Sequence, residues 1–600
     1  MTGQPHPGTW GVAGGYHDYA GNWRDAPEAT VQAMLAAMGA IDGEPPPPVC
    51  ITVRTDHPLP DIGSGVIELE HGGEVKVDGP LPTDLATGYH RFHPSRGDRR
   101  NLIVSPGRVP GVPGRGWGFA TQLYATRSER SWGVGDFADL RHLGAWAGGL
   151  GAGFTLVNPL HAPTPRTPLQ PSPYFPGSRC FLNPIYIAVE EVPGTEGIPG
   201  LAAAAAAGRA LNADRIIDRD RAWSIKEPVL RAVFERRANE GDFARYRAEK
   251  GQSLRRFALY CAVCDEVGPD WRSWPAGVVE RAEPAQVLWH EWLQWVAETQ
   301  LALAGARHGL VVDLAVGVDP SGPDSWIWQH TFASGMTVGA PPDEFNTRGQ
   351  DWGLPPFDPW RLRTAEYEPW IAALRSGMTY GCGLRVDHVM GLFRLFWIPQ
   401  GTSPAAGTYV SYPHHDMLNI LALEAERAGA YVVGEDLGTV QDEVRHDLAE
   451  RRVLSYRLWW FETTSPKEWP SQAMAAVTTH DLPTVAGVLT GSDLEAQRRM
   501  GTEPNEESSS ALLARLRDLA PGADIPATIE AVYADLATAP CELLVATLED
   551  ALAVEERPNM PGTTDEWPNW SIALPIPLQD MEKGPLPGRL AQHLGRADGA

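Results

Sequence analysis

The 600-residue sequence predicts an α/β protein: a (β/α)8 TIM barrel with a large helical insertion and loop subdomains, preceded by a small N-terminal β-sandwich-like domain. Three observations predict it. From about residue 117 strand-like runs alternate with helix-like ones, and the strands number eight, as a (β/α)8 barrel requires. Before residue 106 the pattern is one of short strands between Gly, Pro and Asp turns. Finally, acids follow three of the eight strands, at the C-terminal ends where such barrels place their chemistry.

In chain order, residues 1–109 read as an N-terminal extension, helix plus β-sandwich-like, and 110–600 as the barrel. Residues 27–38 give one helix, with Val31, Met34, Leu35 and Met38 on one face. Short strands follow at 50–54, 65–70, 73–78, 89–92 and 101–105, which suggests two facing sheets. The Pro- and Gly-rich run 106–116 reads as a linker. The barrel strands are expected at 118–124, 154–159, 310–316, 384–388, 431–435, 455–461, 474–478 and 543–548. Two excursions interrupt them. Residues of about 175–305 are mostly helical, and core packing accounts for Trp289, Trp292 and Trp295 in one helix. Residues of about 339–359 form a polar Pro/Gly/Asp/Trp stretch, too long for a simple connection, and read as a lid-like loop.

Composition bounds the partners. A formal net charge of −25, spread along the chain, repels phosphates and anionic lipid, so neither nucleic acid nor membrane is expected and a neutral substrate is. Met1-Thr2-Gly3-Gln4-Pro5 does not begin a signal-peptide pattern, and no apolar run is long enough to span a bilayer. Six cysteines in so long a chain make no disulfide framework. The expectation is a soluble, cytoplasmic protein.

The chemistry centres on Gly383-Leu384-Arg385-Val386-Asp387-His388-Val389-Met390-Gly391. Residues two apart on a strand point the same way, so Arg385 and Asp387 share a face. A neighbouring guanidinium is expected to keep Asp387 ionised, as a nucleophile needs. Taken alone the pair reads equally as a structural ion pair. Beyond it, Asp416 is expected to cap a helix carrying Leu418, Leu421, Ala422 and Ala425, closed by Gly429. That helix leads to Tyr431-Val432-Val433 and then Gly434-Glu435-Asp436. A strand–helix–strand unit makes the two strands parallel, which puts Asp387 and Glu435 at the same end. Two strands later, Ala475-Ala476-Val477-Thr478-Thr479 runs into His480-Asp481. Carboxylates with neither a metal cluster nor a Ser–His pair point first to glycosidic bond cleavage. Glu435, without an adjacent cation, is the candidate general acid and then base. Asp481 would hold sugar hydroxyls and stabilise positive charge at the reacting carbon.

These three motifs resemble those of the 4-α-glucanotransferases of the amylomaltase (disproportionating enzyme) family. Ser131-Trp132-Gly133-Val134-Gly135-Asp136, Ser172-Pro173-Tyr174, Asp313-Leu314-Ala315-Val316-Gly317 and Gly339-Ala340-Pro341-Pro342-Asp343 agree too. So do Gly349-Gln350-Asp351-Trp352-Gly353, Asn559-Met560-Pro561-Gly562-Thr563 and Pro568-Asn569-Trp570. Tyr16-His17-Asp18 and the helix after it resemble the N-terminal extension of long bacterial members.

The resemblance implies transfer of α-1,4-glucan segments between malto-oligosaccharides, with retention and without cofactor or metal. Asp387 would be nucleophile, Glu435 acid/base and Asp481 transition-state stabiliser. Arg385, His388 and His480 would complete the donor subsite. Tyr174 would stack on the donor sugar, Ser172 would bind substrate beside it, Asp313 and Asn559 would bind hydroxyls, and Trp352 would lie over the acceptor side. Two departures bear on acceptor-side detail: Leu482-Pro483-Thr484 replaces the Asn-Asp-Thr of shorter members, and Phe175-Pro176-Gly177 also differs from them.

The rival readings are an α-amylase-like retaining hydrolase and a non-catalytic glucan-binding protein. Metalloprotease chemistry fails because Gln294 stands where His290-Glu291 would need a second histidine. Cys261 and Cys264 sit in a helix-like run without a second pair, and His414-His415-Asp416 reads as a polar loop entering a helix. The N-terminal β region has three roles open to it: dimer contact in a homodimer, glucan docking, or stability.

Overall fold

A computed structural model describes residues 6–18, 21–40, 44–46, 49–237, 241–342, 348–438, 440–501 and 504–595. Met1–Pro5, Asp343 and the centre of the expected lid, 343–347, lie outside the described residues.

Eight parallel strands form the barrel: β1 (Gly116–Thr121), β2 (Phe154–Val157), β3 (Gly309–Leu314), β4 (Gly383–Val386), β5 (Tyr431–Gly434), β6 (Ser455–Leu458), β7 (Ala473–Ala476) and β8 (Leu543–Thr547). They neighbour one another in chain order, with β8 against β1. Between β5 and β6, Gly434 N–H donates to the Leu454 carbonyl (2.8 Å) and Leu454 N–H to that of Val432 (2.9 Å), which closes the ring. Inward residues such as Leu156, Val311, Val433, Leu458, Met474 and Val545 fill the interior, so the barrel is a packed core and not a pore. Chemistry is therefore confined to its rim.

Each expected strand is found, and each ends one to three residues earlier than the hydrophobic run suggests. The last residues of those runs have left the ladder to become the rim. Between β2 and β3, among the described residues, come the paired strands His161–Ala162 and Ser178–Leu182 and then the helical stretches Leu201–Ala210, Arg219–Arg237, Gly241–Val267 (broken at Gly251) and Pro284–Gly305. On the last of these Trp289 and Trp292 are buried with Leu293 and Val296, as core packing requires.

Three expectations are corrected. The N-terminal strands Cys50–Arg54, Asp61–Glu68, Glu74–Pro80, Gly88–Pro94 and Arg100–Ser105 join in one hydrogen-bonded sheet, not two facing ones. One set of side chains (Val53, Ile67, Val77, Phe92, Leu102, Val104) makes a small core of its own. The other set, with Cys50 and Ile103, packs on the barrel helix His414–Ala428, so a helix supplies the second layer.

Asp416 is accordingly no cap. It accepts from Thr52 Oγ1 of the N-terminal sheet (2.5 Å), Arg363 Nη2 (3.1 Å) and the Tyr367 hydroxyl, while Gly429 does end the helix in the left-handed region. The described ends of the lid-like stretch are strands and not loop. Met336–Ala340 and Gln350–Leu354 pair antiparallel and continue into Arg394–Pro399 and Thr408–Ser411, a four-stranded sheet. Gly339 is required there, because a Cβ would meet the Gln350 carbonyl at 1.9 Å. Among the described residues no helix is long and apolar enough to cross a membrane.

Candidate active site

The site is built from the ends of β3, β4, β5 and β7. Arg385, on β4, is its hub. Its Nη1 lies 2.7 and 2.6 Å from the two oxygens of Asp313 on β3 and 3.1 Å from Asp387 Oδ1, just past β4. Below it lies the ring of Tyr456, 5.5 Å from the guanidinium carbon. Backbone bonds set the heights of the two acids: Asp387 N–H donates to Leu314 O (3.1 Å) and Glu435 N–H to Val386 O (3.0 Å). His388 then takes a left-handed conformation (φ 46°), a costly choice for a residue with a Cβ. Its N–H donates to Glu435 Oε2 (2.9 Å) and Leu437 N–H to Oε1 (3.0 Å), so the Glu435 carboxyl is held at both oxygens.

Asp481 stands on the loop after β7. Asn559 Nδ2 donates to its Oδ1 (2.7 Å), and His480 Nε2 lies 3.4 Å from its Oδ2. The other ring nitrogen of His480 lies 3.2 Å from the Tyr174 hydroxyl, which donates to Asp313 (2.7 Å). One polar chain thus runs Asp387–Arg385–Asp313–Tyr174–His480–Asp481. Tyr174 and His480 stack at 4.6 Å, with Trp570 tilted against both. Trp352 lies edge-on to His388 at 5.4 Å, beside the site. Ser172 does not join the cluster; its hydroxyl accepts from the Tyr174 N–H (3.2 Å) and shapes the loop that delivers that ring.

The electrostatics depart from expectation at one point. Burial outweighs Arg385, and with Asp313 and Glu435 adding to it, Asp387 is pushed up to about 7. The guanidinium and His480 pull the other way without winning. Asp481 goes opposite: burial raises it, but His480 and the Asn559 amide prevail and hold it below the usual carboxylate range. The same contact holds His480 above its ordinary value, despite burial. Unequal environments for neighbouring carboxyls are how one site assigns them different jobs.

Four contributors escaped the sequence reading: Tyr456 under the hub, Trp570 against Tyr174, the Leu437 amide, and Arg557. Trp570 stands in a motif already singled out and Leu437 directly follows Gly434-Glu435-Asp436, so both could have been found there; Tyr456 and Arg557 carry no sequence signal. Arg557 donates to the Asp481 carbonyl (2.9 Å) and clasps Asp493 in a buried pair. Arg557→Leu leaves the Asp493 charge buried without its cation and with only the Gln497 amide on it (2.8 Å), so urea titration should show a stability loss of about 3–5 kcal/mol.

A closed (β/α)8 barrel with carboxylates converging on its C-terminal rim and no metal-ligand cluster among them is an arrangement that suits enzymes which cleave and remake glycosidic bonds. Comparison with known proteins gives the family. The profile of glycoside hydrolase family 77, described as 4-alpha-glucanotransferase, matches residues 121–578. A 4-alpha-glucanotransferase of Mycobacterium tuberculosis is 42% identical over 571 residues, covering 84% of this chain and 79% of its own. One of Haemophilus influenzae is 31% identical, covering 83% and 81%. The crystal structure of amylomaltase from Corynebacterium glutamicum superposes with a TM-score of 0.87 at 31% identity, covering 98% of both chains. This chain belongs to the 4-alpha-glucanotransferase (amylomaltase) family, in its long form with an N-terminal extension.

Proposed function

We propose that the site transfers α-1,4-glucan segments between malto-oligosaccharides through a covalent glycosyl–Asp387 intermediate. In the first step an Asp387 oxygen attacks the anomeric carbon of the donor. The glycosidic C–O bond breaks, and Glu435 gives its proton to the departing oxygen. In the second step the 4-hydroxyl of an acceptor attacks that carbon, Glu435 takes the proton, and the ester to Asp387 breaks. Two inversions give net retention. Asp481, ionised and held by Asn559, faces the positive charge that develops at the ring. Tyr174, Asp313, Arg385, His480 and His388 shape the donor subsite, and Trp352 borders the acceptor side.

The observation that carries this reading is one continuous polar chain from Asp387 through Arg385, Asp313, Tyr174 and His480 to Asp481, with Glu435 held at the same rim by the His388 amide. Family membership supports transfer over hydrolysis. Incubation with maltotriose tests it. Glucose and longer chains should form without a net gain of reducing ends, whereas a steady rise in reducing ends would mark a hydrolase. A cytoplasmic location fits six cysteines that are all unpaired. A net charge of −25 disfavours nucleic acid and anionic lipid as partners.

A further inference from the structure

The helical insertion reaches back to the donor subsite at the start of its helix Arg219–Arg237. Just before that helix the chain runs antiparallel to the segment after Trp570: Ile217 N–H donates to Ser571 O (2.8 Å) and Ala573 N–H to Arg215 O (2.7 Å). Two adjacent side chains then hold two different loops of the site. Asp220 Oδ1 accepts from the Leu169 N–H (2.8 Å), on the loop that leads to Tyr174. Arg219 is buried; its Nη2 donates to the Trp570 carbonyl and its Nη1 to Ser571 Oγ (3.0 Å). Its guanidinium carbon lies 4.9 Å from the centre of the Tyr124 ring. Among the described residues no carboxylate pairs with it. Burying a cation against neutral groups alone is unfavourable, and the polar groups it secures belong to one turn, Trp570-Ser571. That turn is strained. Trp570 has φ 60°, in the left-handed region, an outlier for so bulky a residue. Its N–H donates to the Pro558 carbonyl (2.9 Å) while Arg219 holds its own carbonyl, so both ends of the residue are fixed. Strain of this kind persists where the surroundings over-determine it, and it gathers at functional sites.

We propose that Arg219 is a positioning residue of the donor subsite: it holds Trp570 in the left-handed conformation, and the indole in turn sets the rings of Tyr174 and His480. The inference rests on Tyr174 and His480 belonging to that subsite. In its strained conformation the indole stands 5.0 Å from the Tyr174 ring and 5.3 Å from that of His480. Those two rings form the middle of the polar chain: the Tyr174 hydroxyl donates to Asp313, and His480 lies against Asp481. A turn released by Arg219 would let the indole back away, and both rings would lose the wall they pack on. The insertion thus acts on the site through a main-chain carbonyl, that of Trp570, and not through a charge placed among the acids.

Kinetics with maltotriose, at a temperature where each variant is folded, test the chain of contacts. Trp570→Ala should lower kcat/KM by about 10²-fold, the loss expected when positioning slips by about 1 Å. Arg219→Met keeps much of the stem without the donors and should cost about tenfold, because the indole remains but its turn relaxes. Arg219→Lys keeps the charge without the two-pronged geometry and should fall between Arg219→Met and wild type; it replaces the Met variant if that one does not fold. The decisive readout is the double variant. In a Trp570→Ala background Arg219→Met should cost nothing further in kcat/KM, because the indole it acts through is gone. Additive losses overturn the proposal. Trp570→Gly separates activity from stability, and stands in for Trp570→Ala if that variant does not fold. Glycine adopts a φ of 60° freely, so this variant should melt above Trp570→Ala and yet be as slow, since neither has the indole. A kcat/KM that rises with Tm from the Ala to the Gly variant would make the role merely structural and overturn the proposal. Tyr174→Ala runs alongside. Wild-type kcat/KM in that variant would overturn the donor-subsite reading itself. An impaired Tyr174→Ala beside an unimpaired, folded Trp570→Ala overturns the role of Arg219 and Trp570 alone.

Discussion

Asp387→Asn should lower kcat/KM for maltotriose disproportionation by about 10⁴–10⁶-fold, the scale seen when a covalent nucleophile is removed. An amide cannot form the glycosyl ester, and nothing else in the cluster stands where Asp387 stands. The structure makes the experiment clean. Arg385 keeps both oxygens of Asp313 at 2.6–2.7 Å, so the substitution does not strand a buried guanidinium. The fold should survive, and stability should even rise at high pH. The sign follows from the shift: Asp387 is pushed up to about 7 in the folded state, against about 3.9 when unfolded. The folded protein therefore holds that proton more tightly. It loses stability as pH climbs from the unfolded value through the folded one, and Asn is spared that loss. Thermal melts at pH 5 and pH 8 check this: the variant should gain on wild type at pH 8 by clearly more than at pH 5. An active Asp387→Asn protein would refute the double-displacement scheme.

Glu435→Gln should behave differently, and the difference identifies its role. With maltotriose as donor the rate should drop by about 10²–10⁴-fold, the usual worth of a positioned general acid. With α-maltosyl fluoride the first step should recover, because fluoride departs unprotonated. The second step still needs a base to take the acceptor's proton. The glycosyl enzyme should therefore accumulate and be visible as an added maltosyl mass on the intact protein. Both amides that hold Glu435, those of His388 and Leu437, belong to backbone, so a Gln carbonyl can still accept one of them and the loop should keep its shape. Equal losses with both donors would mean that Glu435 only binds.

These two variants also show why the resting geometry suits transfer chemistry. Asp481, drawn down by His480 and Asn559, stays charged across the working range, whereas Asp387 sits near its own titration point. A nucleophile close to neutrality is a better attacking group when ionised than one held strongly as an anion. The cost is an acid limb in the pH profile. Burial at the rim, more than any one partner, sets this balance.

Much of this was legible in the amino-acid order. Short apolar runs between helix-like stretches located all eight barrel strands, because a buried parallel strand must be apolar nearly throughout. Acids directly after those runs lie at one rim, because strand–helix–strand crossovers make all eight strands parallel. That reasoning reached Asp387, Glu435 and Asp481 and put them at one end of one barrel. It also explains the misplaced strand ends, since a run of apolar residues does not say which of its last members still pair.

What sequence neighbours could not settle was every quantity that depends on distance across the barrel. Arg385 stands two residues from Asp387, yet its closest carboxylate is Asp313, 72 positions earlier. The charge of Asp387 is decided by burial that no local pattern encodes. Asp416 was assigned to its own helix and in fact ties that helix to the N-terminal sheet. The order of residues determined which strands exist and which acids follow them, for those are properties of neighbours along the chain. Only the closed barrel decided how the acids share protons, because electrostatic coupling falls with separation in space and a linear sequence does not contain it.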